Sequence, residues 1–333
     1  MKKLYFIFLL SLLSCTSTDN KILVSNSGQA QGTFYHIKYL SENAEDFQQK
    51  IDSLFAEIDS SVSVYMSSSI ISRLNNGEQL NTDAIFNKVY SDAMHVYHIS
   101  EGFFDCTVFP LLEYWGFYQN NQVKENTIDT ADVLRIMQKV GMHNTRKTDS
   151  SVVLQNRVQL DFNAIAQGYT VDLIAELLEK NEVVNYLIEV GGEIKAKGIN
   201  ADDELWRVGV EKPSKEIDLE ERFQFIIDLE DKALATSGNY RKFYIKDGVK
   251  YAHTINPKSG FPCQNRLLSV TVISDKCALA DAYATAFMVM GLKQTKQLYN
   301  KLADELDVYL VYTDKNGDWK TFVSPGMQKR IVD

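Results

Sequence analysis

Asp281 and Thr285 stand four residues apart in SVTVISDKCALADAYATAF, a segment from Ser269 that otherwise consists mainly of apolar and small side chains. A strand-like run ends near Ser274, and the helix expected after it is apolar on nearly every face from Ala278 to Val289. Four-residue spacing puts Asp281 and Thr285 on one side of that helix. A carboxylate there is costly unless it is paired or bound to a cation, and the hard oxygen donors of Asp and Thr suit Mg²⁺. The same pair also fits a helix-start Asp near the positive end of the helix dipole, with Thr285 bonded back to a carbonyl.

Four further segments carry polar or small residues where a core element would not want them. In LDFNAIAQGYTVD from Leu160, Asp161 and Asn163 stand at a strand-to-helix junction, where free N–H groups favour an anion such as a phosphate. Gly168, inside the expected helix, costs about 1 kcal/mol relative to Ala and implies that something packs against the backbone. In ATSGNYRKFY from Ala235, Thr236, Ser237 and Gly238 offer N–H and hydroxyl groups for an anion-binding nest, or form a plain turn. His253 opens HTINPKSGFP, where Pro257 and Gly260 frame a tight turn that holds the imidazole in place. Gly191 and Gly192, after Tyr186–Val190, leave backbone room for a flat or phosphorylated ligand. Tyr65 and the run Phe103, Phe104, Asp105 supply aromatic rings and an acid able to sandwich and hydrogen-bond a ring system, although aromatics also belong in cores.

The elements that position these residues follow from periodicity. GQAQGTFYHIKY alternates apolar and polar side chains from Gly28 into Leu40 and predicts a strand. Phe47, Ile51, Leu54, Phe55 and Ile58 predict an amphipathic helix over 43–60, and a second is expected from Thr82 to about Ile99. A short strand ends at Leu160 and Asp161, and Ala164 to Lys180 reads as a helix. Strands are expected at Tyr186–Val190, Trp206–Val210, Phe223–Leu229 and Leu267–Ile273, with a hairpin at Asp247 and Gly248. Helices begin at Cys277 and Lys293, and Val308–Tyr312 pairs across Asn316 and Gly317 with Lys320–Val323. Strands and helices without a regular βαβ rhythm give an α+β fold.

The chain has 333 residues, 45% hydrophobic and 24% charged, which suits a globular protein and excludes a disordered one. A net charge of −9 makes nucleic acid a poor partner. Cys15, Cys106, Cys263 and Cys277 show no CxxC spacing, so no zinc site or redox pair is indicated. Residues 1–14 read as a secretory signal: two lysines, then an apolar stretch from Leu4 to Leu13 that is well short of the roughly 20 residues of a membrane span. Leu12-Leu13-Ser14-Cys15 resembles the bacterial lipobox, in which the cysteine is acylated and becomes the mature N-terminus. Ordinary cleavage at a small residue is the alternative. Residues 15–27 are then a polar tether, residues 28–333 the folded domain, and the protein faces the outside of the cytoplasmic membrane, lipid-anchored.

Taken in order, eight segments resemble the ApbE family of FAD:protein FMN transferases: GQAQGTFYHIKY, SVYMSSSIISRLN, FDCTVFPLLEYWGF, LDFNAIAQGYTVD, YLIEVGGEIKAKG, WRVGVEKP, ATSGNYRKFY, and HTINPKSGFP with SVTVISDKCALADAYATAF. They run from Gly28 to Gly291. The resemblance implies an ApbE-like α+β fold and Mg²⁺-dependent cleavage of FAD. The FMN half is esterified to a Thr or Ser hydroxyl of a target protein and AMP is released. It further implies that Tyr65, Phe103, Phe104, Asp105, Asp161, Gln167 and Ile255 contact FAD. By the same carry-over, the Ala164 carbonyl, Asp281 and Thr285 ligate Mg²⁺, and the acceptors are extracytoplasmic domains of membrane redox proteins such as Nqr- or Rnf-type complexes. Gln31 stands where the family usually has Met, and Gln167 where Lys or Glu is common, which changes a flavin-facing contact and removes a charge near the phosphates.

For deprotonating the incoming hydroxyl, His253 is the candidate base and Asp161 the competing one. Two other functions draw on the same segments. One is an FAD pyrophosphatase, in which water replaces the hydroxyl. The other is a flavin-binding lipoprotein without turnover, against which the Asp281/Thr285 pair and His253 argue, since passive binding needs no metal at the pyrophosphate.

Overall fold

The computed structural model describes residues 21–118, 129–212, 223–239, 243–246 and 249–332. The signal segment and Cys15 lie outside the described residues, as do Asp247 and Gly248. In chain order the elements begin with β1 (Ile22–Ala30), β2 (Thr33–Ser41), α1 (Gln48–Val62), α2 (Ile70–Asn75), α3 (Ala84–Ile99), α4 (Phe109–Tyr114) and α5 (Thr130–Met137). Next come β3 (Thr145–Lys147), β4 (Val152–Leu154), α6 (Ala166–Lys180), β5 (Tyr186–Val190), β6 (Glu193–Lys197), β7 (Arg207–Glu211) and β8 (Phe223–Asp228). The chain continues through β9 (Ala233–Gly238), β10 (Phe243–Lys246), β11 (Val249–Ala252), β12 (Leu267–Ser274), α7 (Cys277–Lys301), β13 (Asp307–Thr313), β14 (Trp319–Val323) and α8 (Pro325–Arg330).

Eight strands form one sheet in the order β1-β2-β5-β6-β9-β12-β13-β14, and every neighbouring pair is antiparallel. Alternate side chains of these strands therefore enter two different cores. One face lies under α1, α3, α6 and α7, with Val270, Val272, Phe287 and Leu310 in the larger cluster and Ile37, Ile174 and Ile188 in its neighbour. The other face is covered by the β7–β8 hairpin and α8, which bring Val208, Ile227 and Met327 onto Leu234, Ile273 and Val311. The fold is α+β, as the pattern of elements implies. The first half of α7 is buried on most sides, which explains why the sequence from Ala278 to Val289 is apolar nearly all round.

Several expectations are corrected. The strand expected from Gly28 is a hairpin that starts earlier, at Ile22, so part of the expected tether is β1. β1 is an edge strand whose side chains are mostly exposed, and its polar run SNSG therefore carries no alternating apolar signal. The hairpin turns at Gln31 (φ 51°) and Gly32 (φ 73°), the paired positive values of a tight two-residue turn. No strand forms at Leu160 and Asp161. Asn75 holds that irregular stretch instead, accepting from the Leu160 N–H at 2.7 Å and donating to its carbonyl at 2.8 Å. Helix α1 starts at Gln48 rather than near 43, and α6 at Ala166, so Ala164 lies in the turn before the helix. The helices expected from Cys277 and Lys293 join end to end, with a break at Gly291 (φ 73°, ψ 168°). The strands flanking Asp247 and Gly248 pair with Lys246 opposite Val249.

Candidate active site

Helices α6 and α7 approach so closely at Gly168 that a Cβ there would lie 2.4 Å from the Cys277 carbonyl oxygen. This is the close backbone approach that a glycine inside a helix implies. It also brings the Gly168 N–H to Asp281, whose Oδ2 accepts it at 3.2 Å. Asp281 is 6% exposed, and burial pushes its pKa up, with the Gly168 N–H offsetting part of the rise. One turn on, the hydroxyl of Thr285 lies 3.2 Å from that of Ser237 on β9. The four-residue spacing thus does place Asp281 and Thr285 on one face, beside Ser237 and Gly168.

Thr236, Ser237 and Gly238 form neither a nest nor a turn. They are the end of β9, paired to β12 with Ser237 opposite Val270, so their hydroxyls alternate across the sheet. Ser237 faces Thr285, whereas Thr236 bonds Thr271 at 2.9 Å and lines a cleft of about 750 Å³ on the opposite face. Beyond β9, Asn239 accepts from the Thr254 hydroxyl at 2.7 Å. That bond ties the His253 segment to the strand that carries Ser237. The expected tight turn follows it, with Gly260 at φ 77° donating its N–H to the Asn256 carbonyl at 2.8 Å.

Asp161 forms a second buried carboxylate, 6% exposed, with its pKa pushed up to about 6 by burial. Its oxygens accept from the Asn163 N–H at 2.7 Å and the Asn163 side chain at 3.2 Å, and that side chain also donates to the Tyr65 hydroxyl at 3.2 Å. Tyr65 is 61% exposed and stacks on Tyr118 with centroids 5.4 Å apart. Phe103 has the Lys258 ammonium 4.1 Å over its ring. Asp105 accepts from the Thr107 N–H at 2.8 Å and the Met142 N–H at 3.2 Å. Burial raises its pKa, and the Thr107 hydroxyl, which donates to it at 2.5 Å, together with those N–H groups pulls it part of the way back.

Phe104 and Ile255 are core side chains, 2% and 5% exposed. Gly191 (φ 68°) and Gly192 (φ 107°) make the turn between β5 and β6, with Val190 opposite Glu193. Space is nonetheless tight at Gly191, since a Cβ there would lie 2.9 Å from the Gln167 side-chain nitrogen. Gln31 donates to the Thr170 hydroxyl of α6 at 2.8 Å.

No group of three His, Cys, Asp or Glu able to hold a metal occurs among the described residues. Asp281 and Thr285 offer a buried carboxylate and a hydroxyl from one helix face, both oxygen donors. They fit a Mg²⁺ that takes its remaining ligands from phosphate oxygens and water, as that ion prefers. They do not fit a softer metal. Sequence reasoning missed Asp172, a nearly buried carboxylate on α6 that accepts from the first N–H groups of α7, because those N–H groups lie more than a hundred residues away in the chain.

An antiparallel sheet with helices packed on one face, as here, is shared with solved flavin transferases. The structure matches the flavin transferase ApbE from Vibrio cholerae with a TM-score of 0.83 and 32% identity, covering 93% of this chain and 99% of that one. Against the flavinyl transferase ApbE of Pseudomonas stutzeri in its apo form the TM-score is 0.84 at 27% identity, covering 94% and 98%. The sequence model of the ApbE family matches residues 31–310, and the chain belongs to that family. A relative from Haemophilus influenzae named FAD:protein FMN transferase is 33% identical over 324 residues, 92% of this chain and 91% of that protein. One of the same name from Vibrio cholerae is 34% identical over 292 residues, 85% of each.

Proposed function

We propose that this chain is an FAD:protein FMN transferase that uses Mg²⁺ to move FMN from FAD onto a Thr or Ser hydroxyl of a protein acceptor, releasing AMP. Its enzyme class follows from the family. The single observation that carries the finer reading is Asp281, a buried carboxylate held at a helix crossing beside the hydroxyls of Thr285 and Ser237. Such a group is costly to keep charged unless a cation completes it. Asp281, Thr285 and the Ala164 carbonyl would hold Mg²⁺, which when bound neutralises phosphate oxygens.

The remaining work falls to side chains. The acceptor oxygen attacks the FMN phosphorus, the bond from that phosphorus to the bridging oxygen breaks, and AMP departs with that oxygen. His253, tied through Thr254 and Asn239 to the end of β9, is assigned to take the acceptor proton. Asp161, with a pKa near 6, is the alternative base, although Asn163 occupies both its oxygens. Tyr65 and Phe103 offer ring faces to a flavin or adenine. Excess EDTA should abolish transfer, as should an acceptor whose target Thr is replaced by Val. Full transfer in EDTA contradicts the role of Mg²⁺.

We also propose that Cys15 is acylated and holds the enzyme on the extracytoplasmic side of the membrane, where domains of Nqr- or Rnf-like complexes would be its acceptors. No helix among the described residues is long and apolar enough to cross a membrane. Cys15→Ser should release the protein from membranes, and persistent association would contradict the anchor.

A further inference from the structure

Helices α6 and α7 exchange carboxylates where they cross. Asp281 of α7 accepts the Gly168 N–H of α6 at 3.2 Å. Four residues along α6, Asp172 accepts the Cys277 N–H at 3.1 Å through Oδ1 and the Ala278 N–H at 3.0 Å through Oδ2. These are the first two N–H groups of α7, which no side chain of its own N-cap residue, Lys276, satisfies. A helix normally receives this service from its own N-cap side chain, which ties it only to the preceding loop. Here the cap ties α7 to α6. Lys195 reaches across from β6 to place its ammonium 2.7 Å from Asp172 Oδ1, and the two side chains are only 19% and 11% exposed.

Asp281 lies one turn beyond Cys277, so whatever fixes the first turn of α7 fixes the Asp281 carboxylate relative to the Ala164 turn that precedes α6. We infer that Asp172 and Lys195 are positioning residues that hold Asp281 at the distance a divalent cation requires. This rests on reading Asp281 as a cation ligand. Partners one step removed from a metal ligand typically set its affinity by 10–100-fold, because they determine how the ligand is presented. Neither Asp172 nor Lys195 would touch the cation. Replacing either leaves its partner's charge unpaired but neither adds nor removes a cation ligand. The two replacements change the local charge in opposite directions, so a loss of affinity in both reports orientation rather than charge.

The test is Mn²⁺ binding to the full protein with FAD saturating, read from the free-ion electron paramagnetic resonance signal, beside FAD affinity measured without metal. Asp172→Asn and Lys195→Gln should each weaken Mn²⁺ by about 10–100-fold and leave metal-free FAD affinity within about two-fold. Asp281→Asn should weaken Mn²⁺ at least as much. Glu179→Gln, on the same helix, removes the charge that pairs with Lys197 and should leave Mn²⁺ binding unchanged. If Asp172→Asn does not fold, Lys195→Gln carries the test alone. Normal Mn²⁺ affinity in the Asp172 and Lys195 variants with a loss in Asp281→Asn overturns the positioning role and leaves the cation site standing. Normal affinity in Asp281→Asn overturns both.

Discussion

In the proposed site, the buried carboxylates that would form its floor and the exposed ring that would form its rim are held on opposite principles. At the floor, Asp281 and Asp161 are each 6% exposed and set among backbone donors, so their positions are dictated by how α6 packs on α7 and how Asn75 grips Leu160. At the rim, Tyr65 is 61% exposed and is held by a stack on Tyr118 and one bond from Asn163. Asn163 joins the two, donating to both Asp161 and Tyr65. On the proposed function, the floor would serve charge and the rim ring faces. Damage to the floor should therefore appear in the chemical step, and damage to the rim in binding.

The largest expected effect is at the floor. Asp281→Ala removes the only carboxylate in the proposed cation set and should lower transfer by at least ~10³-fold, with poor rescue by excess Mg²⁺, given the several kcal/mol a bound cation contributes. Steady-state transfer across a Mg²⁺ titration checks this. His253→Ala should keep FAD affinity within a few-fold yet slow covalent transfer by ~10²–10⁴, as for a lost general base. A large loss of FAD binding with normal turnover of what stays bound would make His253 a ligand-positioning group and bring Asp161 forward as base.

Rim changes should be milder. Tyr65→Ala should weaken FAD by about ten-fold, in line with one aromatic stacking contact, and leave the rate at saturating FAD nearly unchanged. A rate loss at saturation exceeding the loss of affinity would erase the distinction between floor and rim.

A further effect is on stability, apart from activity, and it has a definite sign. Asp161 has a pKa near 6 in the folded protein against an ordinary 3.8, so between those values the folded state holds a proton that the unfolded chain has lost. Stability from this group is full below about pH 4, falls as pH rises through the window, and stays low above about 6. Asp161→Asn removes that dependence. At pH 8 it should be more stable than the parent by on the order of 2–3 kcal/mol, and near pH 4 indistinguishable, as chemical denaturation at the two values would reveal.

What the sequence made legible divides along local and distant lines. Asp281 and Thr285 share a face because helical spacing demands it, and Gly168 announced its close contact through its cost in a helix. The α+β class and the outlines of α3, α6 and β5 came from periodicity. Edge strand β1 was hidden because its exposed face need not alternate, and β9 passed for a turn because Thr236, Ser237 and Gly238 are small and polar for reasons of position rather than conformation. Asn75 under Leu160, Asp172 on the N–H groups of α7 and Asn239 on Thr254 could not be read, since each bond joins residues that only the fold makes neighbours.

The most direct test is to incubate the protein with FAD, Mg²⁺ and an extracytoplasmic redox domain bearing a candidate Thr, and to follow AMP release and the intact mass of the acceptor together. Stoichiometric AMP and an acceptor heavier by one esterified FMN, lost when the Thr is replaced, is the expected result. AMP and free FMN without acceptor labelling would make the protein an FAD pyrophosphatase. Tight FAD binding with neither product would contradict the assignment of Asp281, Thr285 and His253 to catalysis.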